Sequence, residues 1–402
     1  MSSILILGAG ASIPFYNPRL STEYLTTVIS DQDRWNNIVE RYTGIMGPDT
    51  DMVNTQTVLE VLNEISIVHP NYHFEQIIEI YDKICSFNFN PQPNSKILHD
   101  ILLYYGATSP NLGDHVWSCV PFLFRQIITE EVARLHLNHK VETYNQLTES
   151  QTNFVSSISE DQSINIFTLN YDEIILDAIQ NLNFTTGFDD NGRFNVNAFL
   201  LAKKTISFPH GHSRLTFDSN GILYHTNSQL ANECRLDRIG AYDGQQTKYL
   251  TENAYSYSFN TFISTGQQKE PTFDVNPYST YYQKFASDCL KANKIYVVGY
   301  SFSDPHFNRM LMNFLVISPT NKIIIVDYLP DQIQIVNEFT NGRSLIYKIF
   351  NLLGINSIAM DTNLQEREQN LNENGFAEIY TQIVLYKKGY DNFLNEFNEI
   401  DI

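Results

Sequence analysis

The chain has 402 residues, 43% of them hydrophobic and 18% charged, which is enough to bury one large core or two ordinary ones and too apolar for a wholly disordered polypeptide. Its 26 Lys and Arg against 45 Asp and Glu leave a net charge of −19, a surface that repels a phosphate backbone and argues against direct nucleic-acid binding. An anionic ligand must then be held by backbone N–H groups or by a few placed donors.

In chain order, Ser3 to Leu7 (SILIL) reads as a short buried parallel strand that stops at the glycine turn of Gly8. The first ten residues carry neither a basic n-region nor a small-residue cleavage site, and no apolar run is long enough to span a bilayer, so a cytoplasmic protein without membrane contact is expected. Residues 21–159 switch to helical spacing, as in TVLEVLNEISIV from Thr57, HFEQIIEIYDKI from His73, SKILHDILLYY from Ser95 and FLFRQIITEEVARLHLN from Phe122, with prolines punctuating the segments. Strand signals return at Ile164–Asn170, Thr205–Phe208, Lys294–Tyr300 and Lys322–Tyr328. Helical patterns opening on Asp172, Asp304 and Asp331 follow three of them, each aspartate suited to cap its helix.

This alternation predicts an α/β fold, a Rossmann-like parallel sheet with helices on both faces and a large helical insertion after the first strand. The core is then discontinuous, 1–20 and 160–360. Residues 183–277 form an irregular, loop-rich segment within it that could serve as a lid. From residue 361 the chain carries nine acidic and three basic side chains together with the periodic stretch FAEIYTQIVLYKKGYDNFLNEF, which predicts a C-terminal acidic amphipathic helix. Cys85, Cys119, Cys234 and Cys289 form no CxxC pair and read as reduced, buried thiols.

Five segments at predicted strand ends carry candidate chemistry. Gly8, Ala9, Gly10, Ala11 and Ser12 either let backbone approach a pyrophosphate at a helix N-terminus or simply make a tight turn; Ile13 stands where the dinucleotide fingerprint has its third glycine, which disfavours a dehydrogenase. Thr168, Asn170 and Asp172 lie at the end of the second strand, where Asn170 can hold a ribose hydroxyl or a water, or with Asp172 merely cap the next helix. His210 in PHGHS is placed for general-base work near neutral pH. His212, two residues on along an extended segment, faces the same side, but without a third ligand no metal site is expected. Gly299 and Ser301 in VGYSFSD could close on a ribose or phosphate, and Asp327 in IIIVDYLPD either accepts from ribose hydroxyls or serves the turn before Pro330.

The order of these segments resembles the sirtuin-like (silent-information-regulator-type) NAD-binding domain. GAGAS is similar to its GAGxS loop, TLNYD to TQNxD, PHGH to its catalytic His-Gly, GYSFSD to its GTS motif and IIIVD to its adenosine-contacting strand. Deacylating sirtuins carry two CxxC pairs between the His-Gly and GTS motifs. Here that interval holds only Cys234 and Cys289, so no zinc module can form, and IPFYNPRLST replaces the family's GIPDFR. HFEQIIEIYDKI is similar to an FE-containing helix of bacterial defence relatives. The resemblance therefore implies an NAD+ glycohydrolase of the anti-phage branch, with NAD+ as substrate, Asn170 and His210 as catalytic residues and the other candidate residues as NAD+ contacts. It also implies a homo-oligomer, or work with a separate sensor or ATPase such as a HerA-type ATPase or a prokaryotic Argonaute. The competing functions are an NAD-dependent protein deacylase using the same residues and a catalytically silent NAD or ADP-ribose-binding regulatory subunit.

Overall fold

In the computed structural model, which describes residues 2–46, 55–88, 120–159, 163–189, 193–213, 215–217, 223–225, 240–241, 257–258, 262–263, 276–354 and 363–400, the chain enters a sheet at once as β1 (Ser2–Leu7). All six residues of β1 are buried, as a central parallel strand covered on both faces requires. Its side chains alternate: Leu5 and Leu7 enter one apolar cluster and Ile4 and Ile6 the other.

Helices α1 (Thr22–Ile29), α2 (Gln32–Met46), α3 (Thr55–Val68), α4 (Phe74–Asn88), α5 (Val120–Asn138) and α6 (Tyr144–Ser159) follow, the helical insertion expected from the 3.6-residue spacing. SKILHDILLYY lies outside the described residues. Among the described residues the insertion has no separate core. Trp35, Ile65, Ile77 and Phe124 belong to the same cluster as Leu5 and Leu7 of β1, so the helices are an extension of one sheet face.

The sheet resumes with β2 (Ser163–Thr168), helix α7 (Ile174–Ile179), helix α8 (Val196–Leu201) and β3 (Lys204–Ser207). It continues through α9 (Tyr278–Cys289), β4 (Ala292–Val298), α10 (Pro305–Ile317) and β5 (Lys322–Val326). Then come α11 (Ile335–Thr340), α12 (Leu345–Leu352), α13 (Leu364–Asn374), β6 (Phe376–Tyr380), β7 (Ile383–Tyr386) and α14 (Tyr390–Glu396). The seven strands are ordered β6-β7-β5-β4-β1-β2-β3, all parallel except β6, which is antiparallel to β7. The order runs outward from β1 in both directions, which makes the fold Rossmann-like and puts its topological switch point between β1 and β4. Helices α9, α10, α12 and α13 bury Phe285, Phe314, Phe350 and Leu371 on the face opposite the insertion. Between 183 and 277, short two-stranded pairs join Gly211–His212 to Phe262–Ile263 and Leu215–Phe217 to Leu223–His225.

Two expectations are corrected. FAEIYTQIVLYKKGYDNFLNEF is not one amphipathic helix: it supplies β6, β7 and the short α14, so the sheet extends past residue 360. Gly375, at φ +82°, ends α13; Ala377 and Ile379 alternate inward on β6, and the fully buried IVLY run pairs with β5 as an interior strand. Asp331 does not cap a helix either; α11 begins at Ile335, and the Asp331 carbonyl instead accepts from buried Lys387. Cys289 is a free buried thiol whose pKa burial pushes up to about 12. Among the described residues no helix is long and apolar enough to cross a membrane.

Candidate functional site

The turn after β1 is shaped by backbone crossing backbone. A Cβ on Gly8 would stand 2.5 Å from the Gly299 carbonyl oxygen, and one on Gly10 would stand 2.6 Å from the Gly299 Cα. Gly299 itself, at φ +58°, would drive a Cβ to 2.4 Å from the Ala11 nitrogen. Only glycine fits at each of these positions, and the reason is the β1 and β4 turns meeting at the switch point. The amides of Gly8 and Gly10 donate to the carbonyls of Val298 (2.8 Å) and Gly299 (2.9 Å), while those of Ala11 and Ser12 close back onto Gly8 (2.9 Å) and Ala9 (3.2 Å). Exposed Ala9 is the crest of the turn, with Gly10 half-buried beside it. No long helix starts here: Ala9–Ala11 and Ile13–Phe15 are consecutive 3-10 turns, with Pro14 early in the second, so the expected helix N-terminus is replaced by a turn whose amides are mostly spent internally.

On its other side the same turn meets the end of β2. Asn170 donates from Nδ2 to the Gly8 carbonyl (2.9 Å) and to Ser12 Oγ (2.8 Å); a carbonyl can only accept, which fixes the orientation of the amide. Ser12 Oγ in turn donates to Asp172 Oδ2 at 2.5 Å, and Asp172 Oδ1 accepts from the Ile174 amide (3.1 Å), tying down the first turn of α7. Thr168 Oγ1 accepts from the Asn170 amide (3.2 Å). Ser12, Thr168, Asn170 and Asp172 are all buried. Burial pushes the Asp172 carboxyl up to about 6, against the pull of its hydrogen bonds from Ser12 and Ile174. With both Nδ2 hydrogens engaged, Oδ1 is the side of Asn170 that can accept from a ligand.

The His-Gly turn is lashed to this segment. His212 Nε2 lies 2.9 Å from the Asp172 carbonyl oxygen, and the Ser213 amide donates to the Tyr171 carbonyl (3.1 Å). His210 has a different partner, Asp304 Oδ2 at 3.1 Å, while Asp304 Oδ1 caps α10 by accepting from the amides of His306 (2.8 Å) and Phe307 (3.3 Å). The two histidines, expected to face the same side, therefore have separate partners. Gly211, at φ +88°, breaks the extended path between them and turns their rings apart. When Asp304 accepts from Nε2–H, the imidazole lone pair sits on Nδ1.

No protein-family model and no curated protein matches the chain.

The remaining candidates lie further along the carboxyl edge. Exposed Ser301 shares a hydrogen bond with Ser303 (2.7 Å), and its carbonyl accepts from Lys348 Nζ (3.1 Å). Half-buried Asp327 accepts from the Tyr328 amide (2.7 Å), and burial pushes its carboxyl up to about 6 as well. Gly8, Asn170, Ser12 and Asp172 are linked in direct contact and Gly10 touches Gly299, whereas among the described residues the hydrogen bonds of Ser301 and Asp327 go elsewhere. Sequence reasoning missed Asp304 as the partner of His210. The sequence carries half the signal: the aspartate opening α10 reads as a cap, but a cap uses one carboxylate oxygen and leaves the second for a residue 94 positions away.

Proposed function

We propose that this chain is an NAD+ glycohydrolase, cleaving the nicotinamide–ribose bond with water to give nicotinamide, ADP-ribose and a proton. The observation that carries the reading is the pairing, at the carboxyl edge beside the switch point, of an asparagine with a locked amide plane and a histidine held by a carboxylate. The loops bearing them are joined through His212 and Ser213.

In this mechanism the dinucleotide lies across the edge, its pyrophosphate over the Ala9–Gly10 crest and its adenosine ribose by Ser301 and Asp327. Asn170 Oδ1 accepts a hydrogen bond from the attacking water or a ribose hydroxyl and so orients it. Nicotinamide leaves through an oxocarbenium-like transition state, and His210, oriented by Asp304, takes the proton released as water adds. In a cell the reaction would deplete NAD+ during phage infection. A free NADase would kill its host, so hydrolysis would await assembly of a homo-oligomer or engagement of a separate sensor or ATPase, of the HerA or Argonaute kind.

His210→Ala tests the assignment. Nicotinamide release is expected to fall by about 10²- to 10⁴-fold while NAD+ binding, followed by calorimetry, is largely retained. Asp304→Asn keeps a capping side chain but loses the charged partner of the imidazole, and should fall between the variant and the wild type. Wild-type turnover by His210→Ala would overturn the assignment.

A further inference from the structure

The side chains of Asn170, Tyr171 and Asp172 point in opposite directions. Asn170 and Asp172 reach Ser12 in the β1 turn, whereas Tyr171 reaches away, into the helical insertion, where its hydroxyl donates to Glu75 Oε1 of α4 at 3.0 Å. Tyr171 is buried in the apolar cluster that runs from the sheet into the insertion. Burial and the neighbouring Glu75 carboxylate push its phenol well above the ordinary range, so it is a neutral donor at any working pH. The next residue is held from the insertion too: Glu173, buried, has His136 Nε2 of α5 at 3.9 Å and Ser213 Oγ at 3.5 Å, and His136 Nδ1 lies 3.0 Å from the Tyr16 hydroxyl. The four-residue segment 170–173 is thereby fixed between the β1 turn, the His-Gly turn and the insertion.

A phenylalanine at 171 would fill the same apolar space, so packing alone does not call for the hydroxyl. What the hydroxyl adds is one directed bond to a residue 96 positions away in sequence, on the neighbour of Asn170. We infer that Glu75 is a positioning residue for the hydrolysis: through the Tyr171 hydroxyl it holds Asn170 in register, so that the helical insertion governs turnover without touching NAD+. This inference rests on the glycohydrolase reading, in which Asn170 orients the attacking water. Misplacement of a catalytic group by about 1 Å costs on the order of 10²-fold, so a single remote bond is sufficient to matter.

Steady-state kinetics on the full chain test it with Tyr171→Phe, Glu75→Ala and Glu75→Gln. Both Tyr171→Phe and Glu75→Ala are expected to lower kcat by about 10- to 100-fold with KM for NAD+ little changed. Glu75→Gln, whose amide oxygen accepts the same bond, should restore most of the loss. In an Asn170→Ala background, Glu75→Ala should add almost nothing, since the two act through one group. Wild-type kcat in both Tyr171→Phe and Glu75→Ala overturns the inference, and so does a full further loss in the double variant. If the wild type releases no nicotinamide in any assembly, the glycohydrolase reading fails by itself, and amide hydrogen exchange across residues 168–175 decides the coupling. Exchange several-fold faster in Glu75→Ala and restored in Glu75→Gln upholds the hold on Asn170; unchanged exchange in Glu75→Ala refutes it.

Discussion

The turn of residues 8–12 touches its two neighbours by opposite means. Toward β4 it meets Gly299 backbone to backbone, with no side chain between and no space for one. Toward β2 it meets Asn170 and Asp172 through side-chain hydrogen bonds, with Ser12 in the middle. The first contact is demanding in size and indifferent to chemistry; the second is demanding in chemistry, because each buried polar atom needs its partner. The glycines of GAGAS thus have a structural reason that requires no ligand, whereas the polar side builds a group with no function in packing, an asparagine carbonyl oxygen left available at a sheet edge.

The largest effect should come from the steric side. Gly299→Ala combines positive φ with a Cβ inside contact distance of Gly10 and Ala11, and is expected to cost about 4 kcal/mol or more, read as the shift in a urea unfolding curve. A loss below about 1 kcal/mol would mean that the crossing yields, and the contrast between the two sides would collapse.

A smaller effect, with a distinctive pH signature, belongs to the polar side. The Asp172 carboxyl is raised in the folded protein from 3.8 to about 6, so the native state keeps a proton that the unfolded chain has released. As pH rises through this window the buried group must ionise, and its contribution falls by about 3 kcal/mol, fully lost above pH 6. Relative to Asp172→Asn, the wild type should accordingly be more stable near pH 4 than near pH 7. Asp327, raised likewise, remains in both proteins and does not enter the difference. Unfolding curves for the two proteins across that range provide the check; a stability difference independent of pH would show that Asp172 titrates normally.

The two sides were also unequally legible in the sequence. The strands could be read because short apolar runs stop at glycine, asparagine or aspartate, and the parallel order follows from the helices between them. The C-terminal hairpin could not, because FAEIYTQIVLY satisfies helical and alternating spacing at once and only pairing with β5 decides between them. Gly8, Gly10, Ser12, Asn170 and His210 were visible as residue types at strand ends. Their partners were not: Gly299 against Gly10, Asp304 on His210 and Glu75 on Tyr171 are contacts between distant segments, and no local pattern encodes them.

The proposed activity is cleavage of NAD+ at the polar side of this edge. Its most direct measurement is the separation and quantification of products after incubating NAD+ with the purified full chain and with Asn170→Ala, each alone and in the presence of candidate activating partners. Nicotinamide and ADP-ribose are expected in equal amounts from the wild type in its active assembly, with a loss of at least about 10²-fold in Asn170→Ala. Equal product from both proteins, or bound NAD+ left intact by the wild type in every assembly, would contradict it.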